Sequence, residues 1–244
     1  MNRYQKYERK DGTGVTCPDT SPWALAVVER CKWGERLNAF RWQRTLDLAR
    51  SPVLDFGCGA GAYVRALLDA GYDAIGVDIA EYPAWQESVP AHFARIGSGT
   101  ELPFMDGAFD STLCFEVLEH LTNPREVLRE LMRVTRHQIL ISVPNCTDER
   151  AYRLADLVPM HFVDRTHCSF FTASGLTEML SEEGLDVRVM IPYRELQYEW
   201  LVFDNYPILR LLRPLFFRSR KLLTKLHLRR PLYGSLFVVC EVRL

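Results

Sequence analysis

Apolar runs and polar breaks alternate along most of this chain, and the alternation predicts its elements before any motif is considered. Val53, Leu54 and Phe56 form a short apolar run that reads as a buried strand, and a helix follows from about Ala62 to Ala70. A turn at Gly71 leads into a second apolar run, Ala74–Val77, which ends on Asp78. Pro83–Ser88 reads as a short helix and His92–Ile96 as a third strand. Ser111–Phe115 is a fourth strand, entered from the turn Met105-Asp106-Gly107. Asn123-Pro124 starts a helix to about Arg136, with Val127, Leu128, Leu131 and Val134 at helical spacing. Gln138–Val143 is a fifth strand, stopped by Pro144. A helix capped by Thr172 runs to Gly184, and Leu185–Ile191 and Leu236–Val242 supply two late strands. Strands alternating with helices at this rhythm predict an α/β fold, a mostly parallel sheet covered by helices on both faces.

The two ends of this pattern differ from its middle. Residues 1–20 are polar and read as an arm. Ser21-Pro22 reads as a helix start, with Trp23, Val27 and Val28 inward, and a second helix spans about Glu35–Arg50, with Phe40, Trp42 and Leu46 to pack. The expected organisation is therefore an N-terminal arm and helices over 1–50 and a domain over 51–244. That domain carries an insertion at about 193–233, between its last two strands.

Composition excludes little. The 244 residues are 48% hydrophobic and 25% charged, with a net charge of −1, values ordinary for a globular protein and without an overall case for nucleic acid. Seven scattered cysteines with no C-x-x-C pair suggest neither a zinc knuckle nor a disulfide framework, and point to reduced thiols in a cytoplasm. The N-terminal residues lack the apolar core of a signal peptide, and no 18-residue apolar run exists.

Candidate chemistry starts at Pro52–Glu81. Strand, glycine loop (Gly57, Gly59, Gly61), helix, strand and a terminal acid make a βαβ unit for a nucleotide-like ligand. Glycines let such a ligand approach main-chain N–H groups, and Asp78 can accept both hydroxyls of a ribose. The unit fits a dinucleotide as well, since Gly57-x-Gly59-x-x-Ala62 with a later acid matches that fingerprint. Asp55, inside the strand, favours a ligand with a positive group near the loop over a pyrophosphate, which it would repel.

Asp55, Gly57, Gly59 and Gly61 resemble motif I (D-x-G-x-G-x-G) of the class I S-adenosylmethionine-dependent methyltransferases. A second stretch, GTELPFMDGAFDSTLCFEVLEHL from Gly99 to Leu121, is similar in order and spacing to the type 11 methyltransferases. The resemblance implies the Rossmann-like seven-stranded sheet of order 3-2-1-4-5-7-6, and S-adenosylmethionine as cofactor. It implies that Gly57, Gly59 and Gly61 line the methionine part and that Asp55 sits near its amino group. Asp78 would bind the ribose, Ile79 and Leu102 the adenine, and Glu116 would lie under the cofactor. Ser98 stands where relatives place an Asp for the adenine amino group. The N-terminal helices either pack on the sheet edge or, as in many relatives, close over the cofactor as a lid.

Methyl transfer to a hydroxyl needs a base, for which His is the natural group near neutral pH. His120 follows Glu116 and Glu119 after the fourth strand. His167 lies in Asp164-Arg165-Thr166-His167-Cys168-Ser169-Phe170-Phe171-Thr172, a stretch that resembles the D-R-T-H-x-x-F-F-T segment of small-molecule O-methyltransferases. The two histidines have three readings: tethers for their loops, a general base (His167 before His120), or, with Glu116 and Glu119, ligands of a divalent metal. His161 is a further neighbour. The expected activity is O-methylation of a small-molecule hydroxyl of sugar, polyketide-like, lipid-linked or quinone type. The alternatives are a non-catalytic cofactor-binding partner subunit and a metal-assisted RNA-end methyltransferase.

The insertion stands apart. Tyr206–Tyr233 contains no acid, and Arg210, Arg213, Arg218, Arg220, Lys221, Lys225, Arg229 and Arg230 interleave with Leu and Phe, with Pro214 expected to divide two short helices. It reads either as a substrate cover with its apolar side on the domain and its charges in water, or as a basic amphipathic segment for an anionic membrane surface. The second reading would place the protein at the inner face of a membrane. Nucleic acid is disfavoured, because aliphatics outnumber stacking aromatics.

Overall fold

The computed structural model describes residues 34–148, 164, 166–196 and 211–243. The predicted helix after Ser21-Pro22, with Trp23, Val27 and Val28, lies outside these residues. So do Arg165, His161 and Tyr206–Arg210.

The elements follow in the order α1 (Ala39–Leu48), β1 (Val53–Phe56), α2 (Ala62–Asp69), β2 (Ala74–Asp78), α3 (Pro83–Gln86), β3 (Phe93–Arg95) and β4 (Phe109–Phe115). Then come α4 (Pro124–Val134), β5 (Thr135–Pro144), α5 (Ala173–Glu182), β6 (Leu185–Glu195), α6 (Arg213–Lys225) and β7 (Tyr233–Val242). The seven strands form one sheet in the order β3-β2-β1-β4-β5-β7-β6. The first five are parallel, and β7 enters antiparallel to both β5 and β6. This is the fold class that the alternation and the resemblance together imply.

Burial explains why these segments become strands. All four residues of β1 are buried, and β5 is buried from Gln138 to Pro144, as befits strands covered on both faces. On one face α4 buries Val127, Leu128, Leu131 and Val134, one helical stripe, against Leu54, Ile139 and Ile141. Each such side chain contributes roughly 1.5–3 kcal/mol of burial. On the other face Tyr63, Val64 and Leu67 of α2 join Val53, Leu113 and Leu140.

Several boundaries differ from the sequence reading, among them the start of α1 at Ala39 and not Glu35 and of β4 at Phe109 and not Ser111. α4 ends at Val134, and the chain enters β5 at once through Thr135, whose hydroxyl meets Thr112 Oγ1 at 2.5 Å. β7 begins at Tyr233, not Leu236, because its first residues pair with an extended β6 out to Glu195. Whether Pro214 divides two helices lies outside the described residues, which resume only at Leu211. Pro214 itself stands in the first turn of α6, where its missing N–H costs nothing.

α1 lies on a face of the sheet, not at its edge. Its N-cap Asn38 accepts from Arg41 N–H at 3.1 Å. Phe40 stacks on Tyr193 at 4.7 Å and meets Phe237 edge-on, and Trp42 meets Tyr63 edge-on. Just ahead of it, Gly34 sits on the glycine loop. Its carbonyl accepts from Ala62 N–H at 2.9 Å, and a Cβ on Gly34 would lie 2.5 Å from the Cys58 carbonyl oxygen. The start of α1 therefore lies at the end of the sheet where the strands of the βαβ unit deliver their loops. Among the described residues no helix is long and apolar enough to cross a membrane.

Candidate active site

Two loop systems meet at the carboxyl ends of the parallel strands, the position at which open α/β sheets bind ligands. The first is the turn from β1 to α2. Gly57, Gly59 and Gly61 all have positive φ, and Gly61, at +85°, caps α2, where a Cβ would fall 2.3 Å from the Phe93 ring. A side chain at position 61 would meet both backbone strain and a clash. β2 holds the turn in place: Gly57 N–H and Cys58 N–H both donate to the Val77 carbonyl, and Gly59 N–H donates to Asp78 Oδ2 at 2.9 Å. Trp85 donates its indole N–H to the Gly59 carbonyl at 2.8 Å. Asp78 Oδ1 accepts from Ala80 N–H at 3.0 Å. A carboxylate has about four acceptor positions, so Asp78 keeps capacity for a ligand.

Asp55 is buried at the end of β1, and its Oδ2 has no hydrogen-bond partner. Burial pushes its carboxyl up to about 7, the Asp78 charge adds to this, and Arg41 opposes it. An unpartnered buried carboxyl beside a glycine turn suits a ligand that brings a positive group. Ile79, next to Asp78, is 67% exposed and presents an apolar surface. Leu102 is buried in the core, and its N–H donates to Glu130 Oε1 at 2.6 Å. Ser98 is exposed and shares a hydrogen bond with Thr100 Oγ1 at 3.1 Å.

The second system lies beyond β4. Glu116 has φ +56°, a conformation that costs a non-glycine residue of order 1–3 kcal/mol and marks it as held in place by its surroundings. Its N–H donates to the Ser142 carbonyl and its Oε1 accepts from Ser142 Oγ at 2.9 Å. Arg41 Nη1 stands 3.6 Å from the same oxygen and donates to Ser142 Oγ at 3.1 Å. The guanidinium also lies over the Tyr63 and Phe115 rings. Arg41 was not among the sequence candidates. Its only signal is a cation between Phe40 and Trp42 on a helix face destined for burial.

A 3₁₀ turn, Leu118–His120, then meets the segment around His167. The Glu119 carbonyl accepts from Cys168 N–H at 2.7 Å and Ser169 N–H at 3.0 Å, and Ser169 Oγ donates to the Leu121 carbonyl at 2.9 Å. His120 Nδ1 donates to the Thr166 carbonyl at 3.2 Å, a contact that makes Nε2 the acceptor nitrogen of the neutral ring. Burial, and then the neighbouring His167, hold the His120 pKa below its ordinary value. The two imidazoles meet edge-on with centroids 4.7 Å apart, and His167 Nε2 stands 3.7 Å from Asp164 Oδ2. Burial works against the Asp164 charge, yet the Thr166 N–H and hydroxyl and the two histidines hold its carboxyl below the usual range.

Glu119 is almost wholly buried and its Oε2 has no hydrogen-bond partner. Burial, with the Glu116 charge behind it, pushes its carboxyl well up. Glu119, His120 and His167 each bring a ligand-type atom within 4.8 Å of the others. Of the four residues that the sequence grouped for a metal, the structure brings these three together, and Glu116 turns instead to Arg41 and Ser142.

A seven-stranded sheet of this order, with a glycine turn after β1 and an acid ending β2, is the fold of the class I S-adenosylmethionine-dependent methyltransferases. The chain belongs to the methyltransferase-domain family, whose model matches residues 29–188. It is 29% identical over 159 residues to a ubiquinone biosynthesis O-methyltransferase of Pseudomonas aeruginosa, which covers 59% of this chain and 68% of that protein. It is 32% identical over 167 residues to a protein of Mycolicibacterium smegmatis named as a probable S-adenosylmethionine-dependent methyltransferase, covering 66% of this chain and 62% of the other. Among solved structures, a SAM-dependent methyltransferase from Archaeoglobus fulgidus superposes with a TM-score of 0.57 at 22% identity, over 83% of this chain and 91% of that one. One from Mesorhizobium loti does so with a TM-score of 0.53 at 13% identity, over 82% and 95%. The protein is an S-adenosylmethionine-dependent methyltransferase.

Asp55 makes a testable pH signature. A folded-state pKa near 7, above the ordinary 3.8, means that in the ligand-free protein its contribution to stability is fully present below about 4 and is lost as pH rises through 7. A cation placed beside it favours the ionised form and displaces the proton. Calorimetry near pH 6 in two buffers of different ionisation enthalpy is expected to detect proton release when S-adenosylhomocysteine binds. The release disappears in Asp55→Asn, and wild-type affinity weakens as pH falls below 7.

Proposed function

We propose that this methyltransferase binds S-adenosylmethionine over the β1–α2 turn and methylates a hydroxyl oxygen of a small-molecule acceptor. The observation that carries the acceptor class is the pair His120–His167 beside Asp164, a proton-accepting group at the ligand end of the sheet. The name of the Pseudomonas aeruginosa relative, an O-methyltransferase, agrees with it.

In this reading Asp55 receives the amino group of the cofactor, the glycine turn its methionine chain, Asp78 its ribose, and the exposed Ile79 its adenine. Bound there, the cofactor supplies an electrophilic methyl on a sulfonium. The chain supplies alignment and a base. His167 takes the hydroxyl proton, and Asp164 stabilises the imidazolium that results. His120, kept neutral by burial, adds no repelling charge to that imidazolium. Glu116, Ser142 and Arg41 hold the floor of the site rigid. The N-terminal segment acts as cap, a role supported by the contact of Gly34 with the glycine turn.

A second reading has one favourable observation, the unpartnered Oε2 of Glu119 beside both imidazoles. One carboxylate and two imidazoles suit a borderline divalent cation such as zinc, iron or manganese, which would lower the pKa of the acceptor hydroxyl. Both readings are tested by offering a methyl-labelled donor with phenolic, sugar and amine acceptors. Label found in an ether by mass spectrometry supports oxygen transfer, and label found only on nitrogen or carbon contradicts it.

A further inference from the structure

We propose that the outward face of α6 docks this protein on an anionic lipid surface. The excursion between β6 and β7 leaves the sheet at Glu195 and returns at Tyr233, at the same end as the candidate active site, because Ser235 of β7 pairs with Pro144 at the end of β5.

The structure sorts the basic residues of this excursion by side. Arg220 and Arg229 turn to the domain, where both pair with Glu195, at 3.4 and 2.5 Å. Arg230 pairs with Asp148 at 2.6 Å. Arg218, Lys221 and Lys225 are exposed and make no ion pair among the described residues. Arg210 lies outside those residues.

The apolar residues are sorted in the opposite way to a substrate cover. α6 has no buried residue. Leu211, Leu212, Leu215, Leu222, Leu226 and Leu228 are each more than half exposed. Leu215, Leu222 and Leu226, at spacings of seven and four, share one helical face, and Arg218 and Lys225 follow Leu215 and Leu222 by three positions along its border. An exposed aliphatic stripe with cations along its side is the composition of a helix that lies in a membrane interface.

Charge selects the occupant. No acid lies between Tyr206 and Tyr233, so the face is positive throughout. A second copy docked by the same face would bring the same charge, whereas anionic headgroups complement it and acyl chains accept the leucines.

Sedimentation with phosphatidylglycerol-containing vesicles tests the proposal on the full chain. The wild type is expected to bind these vesicles, to bind pure phosphatidylcholine far more weakly, and to be released by salt. Arg218→Gln/Lys221→Gln/Lys225→Gln lowers the partition coefficient on the order of 100-fold. Leu215→Ser/Leu222→Ser lowers it at least about tenfold with the charge intact. An unchanged unfolding midpoint and unchanged S-adenosylhomocysteine affinity show that both variants are folded. No binding by the wild type, equal binding to the two vesicles, or leucine-dependent self-association without lipid overturns the proposal.

Discussion

Asp78→Ala is expected to weaken S-adenosylhomocysteine binding by about 100-fold or more. In the proposed complex the Asp78 carboxylate accepts two ribose hydroxyls, each a hydrogen bond to a charged group, worth about 1.5–3 kcal/mol. The same carboxylate also fastens the glycine turn itself, because it accepts Gly59 N–H and Ala80 N–H. Removing it therefore loosens the glycine turn as well as deleting ligand contacts. Isothermal titration measures the affinity, and chemical denaturation separates the two effects. A variant that binds the ligand as the wild type does would remove Asp78 from the site.

His167→Ala is the second large effect, a fall in kcat of about 10²–10⁴-fold, the usual contribution of a positioned base. Cofactor affinity is expected to stay near wild type, since His167 faces Asp164 and His120 and not the glycine turn. His120→Ala should cost less. The ring contact and the Thr166 hydrogen bond make it a support for the His167 segment. Strong chelation separates base from metal. Turnover that survives chelation and falls with His167→Ala supports the base. Turnover abolished by chelation and restored by a divalent cation supports Glu119, His120 and His167 as ligands.

The parts of this molecule that were legible in the sequence are those whose cause is local. The strand–glycine–helix–strand–acid run of Pro52–Glu81 reads directly, because burial of a two-sided strand and the backbone demands of a tight turn are written in adjacent residues. The order of the strands needed the resemblance, since nothing in a strand names its neighbour. Contacts over long separations were not legible. Arg41 reaches Ser142 across 101 positions, and His120 meets the Thr166 carbonyl across 46. The latter, with the two N–H groups on the Glu119 carbonyl, decides that Glu119 joins the histidines while Glu116 turns to Arg41. In the basic excursion, composition showed an amphipathic segment but not its orientation. That is set by Glu195, which draws Arg220 and Arg229 inward, while the leucines stay outside.

The account rests on the β1–α2 turn with Asp55 and Asp78 holding S-adenosylmethionine and not a dinucleotide. Parallel calorimetric titrations of the wild-type chain with S-adenosylhomocysteine and with NAD test this most directly. The account predicts one-to-one binding of S-adenosylhomocysteine and no measurable heat with NAD. Binding of NAD without S-adenosylhomocysteine would contradict it.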